Sequence, residues 1–166
     1  LVKKVIFSDK NLFLQEIGSK GKILCLDYGK AKIGLATCEA TRKITFPLAP
    51  LKRTNLNNDV SYIVKLLVDE KMVGLVIGLP LNMDGSQSLM VQRVKQFAHD
   101  ILNKINIPQI PIYLQDERLS SFMAKDYIAE NEDSIRAVLG KNHFKQNKEK
   151  IDSIAAKIIL DEFLRG

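Results

Sequence analysis

The chain is poor in cysteine, with two among 166 residues, Cys25 and Cys38. They form no C-x-x-C pattern, and both lie in apolar, strand-like runs. Buried reduced thiols are therefore expected, and a zinc module is not. No apolar run approaches the roughly 20 residues of a membrane helix. The N-terminus carries no signal-peptide apolar core. A soluble, cytoplasmic protein without a membrane partner is the expectation. Internal repeats and low-complexity tracts are also missing, which argues against repeat architectures and disordered linkers.

The charge that is present leans one way. Lys and Arg number 25 against 19 Asp and Glu, for a formal net charge of +6. Such a balance favours an anionic partner, nucleic acid first and an acidic membrane surface second. Solubility alone accounts for it equally well. The length suits a single domain with a proper core. That domain is expected over 21–166, with residues 1–20 an N-terminal extension of uncertain order.

Apolar patterning then divides the chain. Ile23 to Asp27 and Ile33 to Cys38 read as strands joined by a turn at Tyr28 to Lys32. Ile44 to Leu51 is apolar but holds Pro47 and Pro50, which suits an edge strand or one ending in a loop. Val60, Ile63, Val64, Leu67 and Val68 recur at helical spacing, behind Asn57 or Asn58 as the N-cap. Val73 to Ile77 reads as a buried strand. A long helix capped by Ser86 follows, then a strand at Ile110 to Leu114. Helices over Ser120 to Asn131 and Ile151 to Leu164 complete the chain. The order β-β-β-α-β-α-β-α-α predicts an α/β fold, a five-stranded mixed sheet with helices on both faces.

In open α/β sheets, sites form beyond the carboxyl ends of parallel strands. Asp27 ends the first strand, Gly78-Leu-Pro-Leu-Asn-Met-Asp-Gly-Ser86 follows the fourth, and Asp116-Glu117-Arg118 follows the fifth. Asp152 opens the last helix, where the dipole favours an acid. Each has a plain structural reading: Asp27 and Asp84-Gly85 as turn formers, Asn82 as loop support, Asp116 and Glu117 as a solvated cluster. Lys141, Lys145, Lys148 and Lys150 likewise suit a solvated loop. Taken together the acids say more. Asp27, Glu117 and Asp152 come from separate elements that can converge on one end of the sheet. Gathered carboxylates repel one another, and a divalent cation relieves that repulsion. Oxygen ligands select Mg²⁺ or Mn²⁺, and two such ions can clamp a phosphodiester displacement. Spacing alone permits this site and leaves Asp116 and Glu117 interchangeable.

The segments LDYGKAKIGLA, GLPLNMDGS, DERLSS and KIDSIAAKIIL resemble, in order, four motifs of the YqgF/RuvX proteins. The resemblance spans about Ile23 to Leu164, and GLPLNMDGS is its most specific part. These are small bacterial members of the ribonuclease H-like superfamily. Pre-16S rRNA nuclease activity and, earlier, Holliday junction resolvase activity have been ascribed to them. The resemblance implies a ribonuclease H-like fold in which Asp27 bridges two metal ions while Glu117 and Asp152 each hold one. It favours Glu117 over Asp116. Lys30, Arg118 and the lysines at 141, 145, 148 and 150 become candidates for phosphate contact. Gly29, Gly34, Gly78, Pro80, Asn82, Asp84, Gly85 and Ser86 shape the loops around the site. The Gly78–Ser86 loop could offer N–H groups to a phosphate or serve as a tight turn. Ser120-Ser121 stand where the family commonly has threonines, which keeps a hydroxyl.

The implied activity is metal-dependent cleavage of structured precursor rRNA in 16S 5′-end processing. A Holliday junction resolvase is the alternative, and it needs two sites related by a two-fold axis. The sequence shows no evident dimer seam and leaves the choice between monomer and weak homodimer open. A nucleic-acid-binding factor that cuts poorly is a third reading. Asp-x-Gly-x(4)-Gly also resembles the phosphate loop of sugar kinases and actin, but 166 residues cannot supply the two related domains that group requires.

Overall fold

The sheet is built from residues whose apolar side chains leave little room for solvent on either face. A computed structural model describes residues 5–106, 110–117 and 153–166. Its elements run β1 (Ile6–Phe7), α1 (Lys10–Ile17), β2 (Ile23–Tyr28), β3 (Lys32–Cys38), β4 (Thr45–Lys52), α2 (Leu56–Asp69), β5 (Gly74–Leu79), α3 (Leu89–Lys104), β6 (Ile112–Asp116) and α4 (Ile154–Arg165). The helix expected over Ser120 to Asn131 lies outside the described residues.

The strand order is β1-β6-β5-β2-β3-β4. β2, β3 and β4 form an antiparallel meander, while β5 and β6 add in parallel on the other side of β2. Among the described residues the sheet has six strands, one more than the five expected. β1 pairs in parallel with β6, Ile6 opposite Ile112 and Phe7 opposite Tyr113. Two residues carry no readable alternation, so β1 is invisible to pattern analysis. The segment expected to be an extension therefore contributes a strand and a helix. Arg42 ties it down by donating to the carbonyls of Ile17, Gly18, Lys20 and Gly21 just past α1.

Strand alternation sends side chains to two cores. Leu24, Leu26, Ile33, Leu35, Leu75 and Ile77 meet α2 and α3 on one face. Ile23, Cys25, Ala36, Cys38 and Val76 meet α1 and α4 on the other. Burial on both faces explains why β2 and β5 read as continuous apolar runs. β4 is the edge strand its prolines suggested. Both cysteines are buried and reduced.

Two helix starts move from their expected positions. Asn55, not Asn57 or Asn58, caps α2, its side chain accepting from the Asn58 N–H at 2.9 Å. Ser88, not Ser86, caps α3. The Ser86 hydroxyl is engaged by the Asn82 side chain in the preceding loop.

Candidate active site

Asp27 lies near the end of β2, two residues beyond Cys25, and so belongs to the face that α4 covers. Its cross-strand partner on β3 is Gly34, which puts no side chain beside it. The next two residues begin a turn closed by the Gly29 N–H donating to the Lys32 carbonyl at 3.0 Å. A Cβ on Gly29 would stand 2.4 Å from that same oxygen, so the turn requires glycine.

Glu117 follows β6, with its N–H bonded to the Leu79 carbonyl at the end of β5. Its side chain is buried at 5% exposure. The carboxylate lies over Gly78, where an added Cβ would come within 3.0 Å of Oε1 and 2.7 Å of Ile159 Cδ1 on α4. Leu26 and Ile77 are level across β2 and β5, so Asp27 and Gly78 stand one residue past that rung. The Glu117 carboxylate is thereby carried across β5 toward Asp27, over the α4 face. Cys25, just behind them, reports the charge. Burial first, then the negative fields of Asp27 and Glu117, pushes its thiol well above the ordinary range.

The structure separates the two neighbouring acids. Asp116 is level with Leu79 as the last residue of β6 and is exposed. Glu117 lies one residue on, turned to the α4 face and buried. Asp152, Arg118, Lys141, Lys145, Lys148 and Lys150 lie outside the described residues. The residue after Asp152 is well placed, however. Ser153 is fully buried, and its Oγ accepts from the Leu35 N–H at 3.0 Å. The β3–β4 register shifts between Ile33 and Leu35. The start of α4 is therefore pinned to β3 one residue from Gly34, the partner of Asp27.

Lys30 is exposed in the β2–β3 turn. In the Gly78–Ser86 loop, Pro80 follows β5, and the Asn82 N–H bonds the Ser86 carbonyl while the Gly85 N–H bonds the Asn82 carbonyl. The Asp84 carboxylate accepts the Ser86 N–H at 2.8 Å. Hydrogen bonds to Ser86 hold Asp84 below its usual carboxylate range. With the Leu81 N–H on the Leu79 carbonyl, four of the loop's N–H groups are used internally, which favours the tight-turn reading of the loop.

Sequence reasoning missed Arg53. Its Nε donates to Asp59 at 2.9 Å, its Nη1 to the Gly29 carbonyl at 3.1 Å, and its guanidinium lies 4.4 Å from the centre of the Tyr28 ring. Arg53 therefore braces the turn directly after Asp27. The one local signal was an acid early in α2, Asp59, six residues after Arg53. Among the described residues, no three metal-ligating side chains form a cluster.

Residues 21–166 match the family described as "RuvX: Holliday junction resolvase". The chain belongs to the RuvX family. Proteins named "Putative pre-16S rRNA nuclease" align over most of its length. The one from Maridesulfovibrio salexigens is 36% identical, covering 86% of this chain and 97% of its own. That from Paracoccus denitrificans is 33% identical over 94% and 91%. The Ehrlichia ruminantium protein is 32% identical over 96% and 95%, so its alignment reaches into the segment before residue 21. In fold, this RuvX chain is similar to T. thermophilus RuvC in complex with Holliday junction substrate. The TM-score is 0.50 at 12% identity, over 86% of this chain and 93% of that one. The mixed sheet with helices on both faces is thus ribonuclease H-like.

Proposed function

We propose that the chain is a metal-dependent nuclease that hydrolyses phosphodiester bonds in precursor 16S rRNA during 5′-end processing. The observation that carries this is the placement of Asp27 and the buried Glu117 on one face, across β5 from each other. Bringing two carboxylates into a shared, partly desolvated space costs free energy unless a cation compensates. Their oxygens are hard donors and fit Mg²⁺ or Mn²⁺. Gly78 fits the same reading, since a side chain there would occupy the space that the Glu117 carboxylate takes. Asp27 and Glu117 would hold the metal, with Asp152 as the third ligand beside the pinned Ser153. Such ions, when bound, supply positive charge to phosphoryl oxygens and lower the pKa of water. Lys30, Arg118 and the lysines at 141, 145, 148 and 150 would hold substrate phosphates. The nuclease domain on this reading is 21–166, with the β1–α1 segment packed onto it.

The family description and the likeness to the RuvC fold favour a second reading, cleavage of four-way DNA junctions. One experiment separates the two. Wild type and Asp27→Asn are compared on precursor 16S rRNA and on a four-way DNA junction, with Mg²⁺ or Mn²⁺. Cutting of the RNA by wild type, with loss of at least 100-fold in the variant, is expected. Equal cutting by the variant would overturn the metal-site assignment. Cutting of the junction alone would promote the second reading, and binding without cutting would make the chain a non-catalytic RNA-binding factor.

A further inference from the structure

Arg53 reaches the turn after Asp27 in three separate ways. Its N–H donates to the Ala31 carbonyl at 3.0 Å. Its Nη1 donates to the Gly29 carbonyl at 3.1 Å, and its guanidinium lies 4.4 Å from the centre of the Tyr28 ring. Arg53 is itself held by Asp59, a buried acid in the first turn of α2. The same carboxylate accepts the Thr54 N–H, so the residue after Arg53 is fixed as well. Phe97 of α3 adds a further contact to Tyr28, with ring centres 5.0 Å apart.

The sheet shows why this strand end calls for a brace. The register of β2 with β5 ends at Leu26 opposite Ile77, while that with β3 continues through Asp27 and Tyr28. Asp27 is opposite Gly34, and the β3–β4 register shifts between Ile33 and Leu35, the two neighbours of that glycine. Asp27 is thus presented where one ladder stops and another is irregular. Strand ends of this kind open more easily than strand interiors. A metal ligand needs the opposite, a carboxylate held within about 0.5 Å of its working position. Alternation places Tyr28 with the α2–α3 core, and Asp27 on the α4 face with Cys25. Arg53 therefore grips the strand end from the face away from the acids.

We propose that Arg53 is a positioning residue for the metal site, setting its affinity for the divalent ion by fixing the end of β2 that carries Asp27. It does so without touching the ion. The role rests on the nuclease reading and deepens it, because it ties the site to the first turn of α2. The shape of the guanidinium matters as much as its charge. Nε serves Asp59 and Nη1 serves Gly29 while the planar group lies by the Tyr28 ring. A lysine ammonium would keep the charge but offers neither the fork nor the flat face. Charge and grip can therefore be separated.

The test uses the full chain as wild type, as Arg53→Lys, and as Arg53→Met/Asp59→Leu, which leaves no buried acid without its partner. Ile23→Val, a buried change at the other end of β2, controls for general loss of stability. Mn²⁺ binding is measured by calorimetry at a temperature where all four proteins are folded. Amide hydrogen exchange at Gly29 is followed in the metal-free proteins. Loss of a group that orients a metal ligand weakens metal affinity by about 10–100-fold, and a brace acting through the backbone should give about 10-fold in both Arg53 variants. Exchange at Gly29, whose N–H donates to the Lys32 carbonyl, should quicken in the same two proteins. Ile23→Val should match wild type in both measurements. Wild-type Mn²⁺ affinity in both Arg53 variants would overturn the positioning role and leave the metal site standing. Wild-type affinity in Arg53→Lys alone would also sink it, since charge rather than grip would then be what counts. Equal weakening in Ile23→Val would reduce the effect to stability and defeat the proposal. A wild-type chain that binds no Mn²⁺ would overturn the metal-dependent nuclease reading itself, and the role of Arg53 with it.

Discussion

Arg53 and Asp59 form an ion pair inside the protein, Nε to Oδ2 at 2.9 Å, with the Asp59 side chain 2% exposed. Asp59 also accepts the Thr54 N–H, so both of its oxygens are engaged. Replacing Arg53 by Met would strand that carboxylate, and breaking a buried pair from one side costs about 3–5 kcal/mol. Arg53 is 18% exposed, so the lower end of that range is expected, read from urea unfolding. The double variant Arg53→Met/Asp59→Leu should recover part of the loss. A double variant no more stable than the single one would show that the pairing itself is not what matters.

The hydroxyl of Ser153, just before α4, ties the start of that helix to the backbone of β3. Ser153→Ala leaves the buried Leu35 N–H without it. A stability loss of about 1–3 kcal/mol is expected. Cleavage should fall as well at temperatures where both proteins are fully folded, because the adjacent residue is Asp152. Thermal unfolding alongside cleavage rates separates the effects, and a variant as active as wild type would dissociate the anchor from the site.

At Gly78, one methyl group tests the packing of the site. Gly78→Ala would push against both Ile159 Cδ1 at 2.7 Å and Glu117 Oε1 at 3.0 Å. Overpacking of this kind costs about 1–3 kcal/mol. Because one of the displaced groups is the Glu117 carboxylate, Mn²⁺ affinity measured by calorimetry should weaken too. Wild-type affinity in a folded Gly78→Ala protein would remove Glu117 from the metal site.

Acid should loosen the β3–β4 connection through Glu39. Its carboxylate accepts from the Thr41 hydroxyl and from the N–H groups of Thr41, Lys43 and Ile44. Those bonds, the Thr41 hydroxyl first, lower its pKa from 4.5 to about 2. A depressed carboxylate contributes stability above its unfolded pKa and loses it as pH falls through the folded value. The penalty of Glu39→Gln should therefore be full above about pH 4.5 and shrink toward pH 2, as followed by urea midpoints across that window. A penalty independent of pH would assign the effect to something other than the charge.

Five of the six strands were legible because each is a run of apolar residues long enough to show itself against its flanking turns. β1 was not, since its two residues are recruited by β6 and α1 rather than by their own pattern. The helix starts slipped by two or three residues for a related reason. Asn55 and Asn58, or Ser86 and Ser88, are equivalent to local chemistry, and the surrounding loop hydrogen bonds decide which one caps. Asp27 could be placed at a strand end from sequence alone. Glu117 could not be told from Asp116 by spacing, because adjacent residues on a strand differ only in the face they take, and register sets that. Arg53 was missed because its partners at Tyr28 and Gly29 lie about two dozen residues away, beyond the reach of any periodicity. Arg118, Asp152 and the 141–150 lysines remain expectations from motif resemblance.

Phe13 gives the β1–α1 segment a further meaning. Its ring packs against Phe7, Tyr113 and Phe163, at centroid distances of 6.0, 5.6 and 5.6 Å. It also fills the space over Gly74, where an added Cβ would meet the ring tip at 2.8 Å. The family match begins at residue 21, eight positions after this plug. A fragment trimmed to that boundary would lose no dangling tail. It would leave a hole floored by glycine and walled by aromatic rings, beside a β6 edge stripped of its neighbour, and such a surface invites a second molecule to fill it.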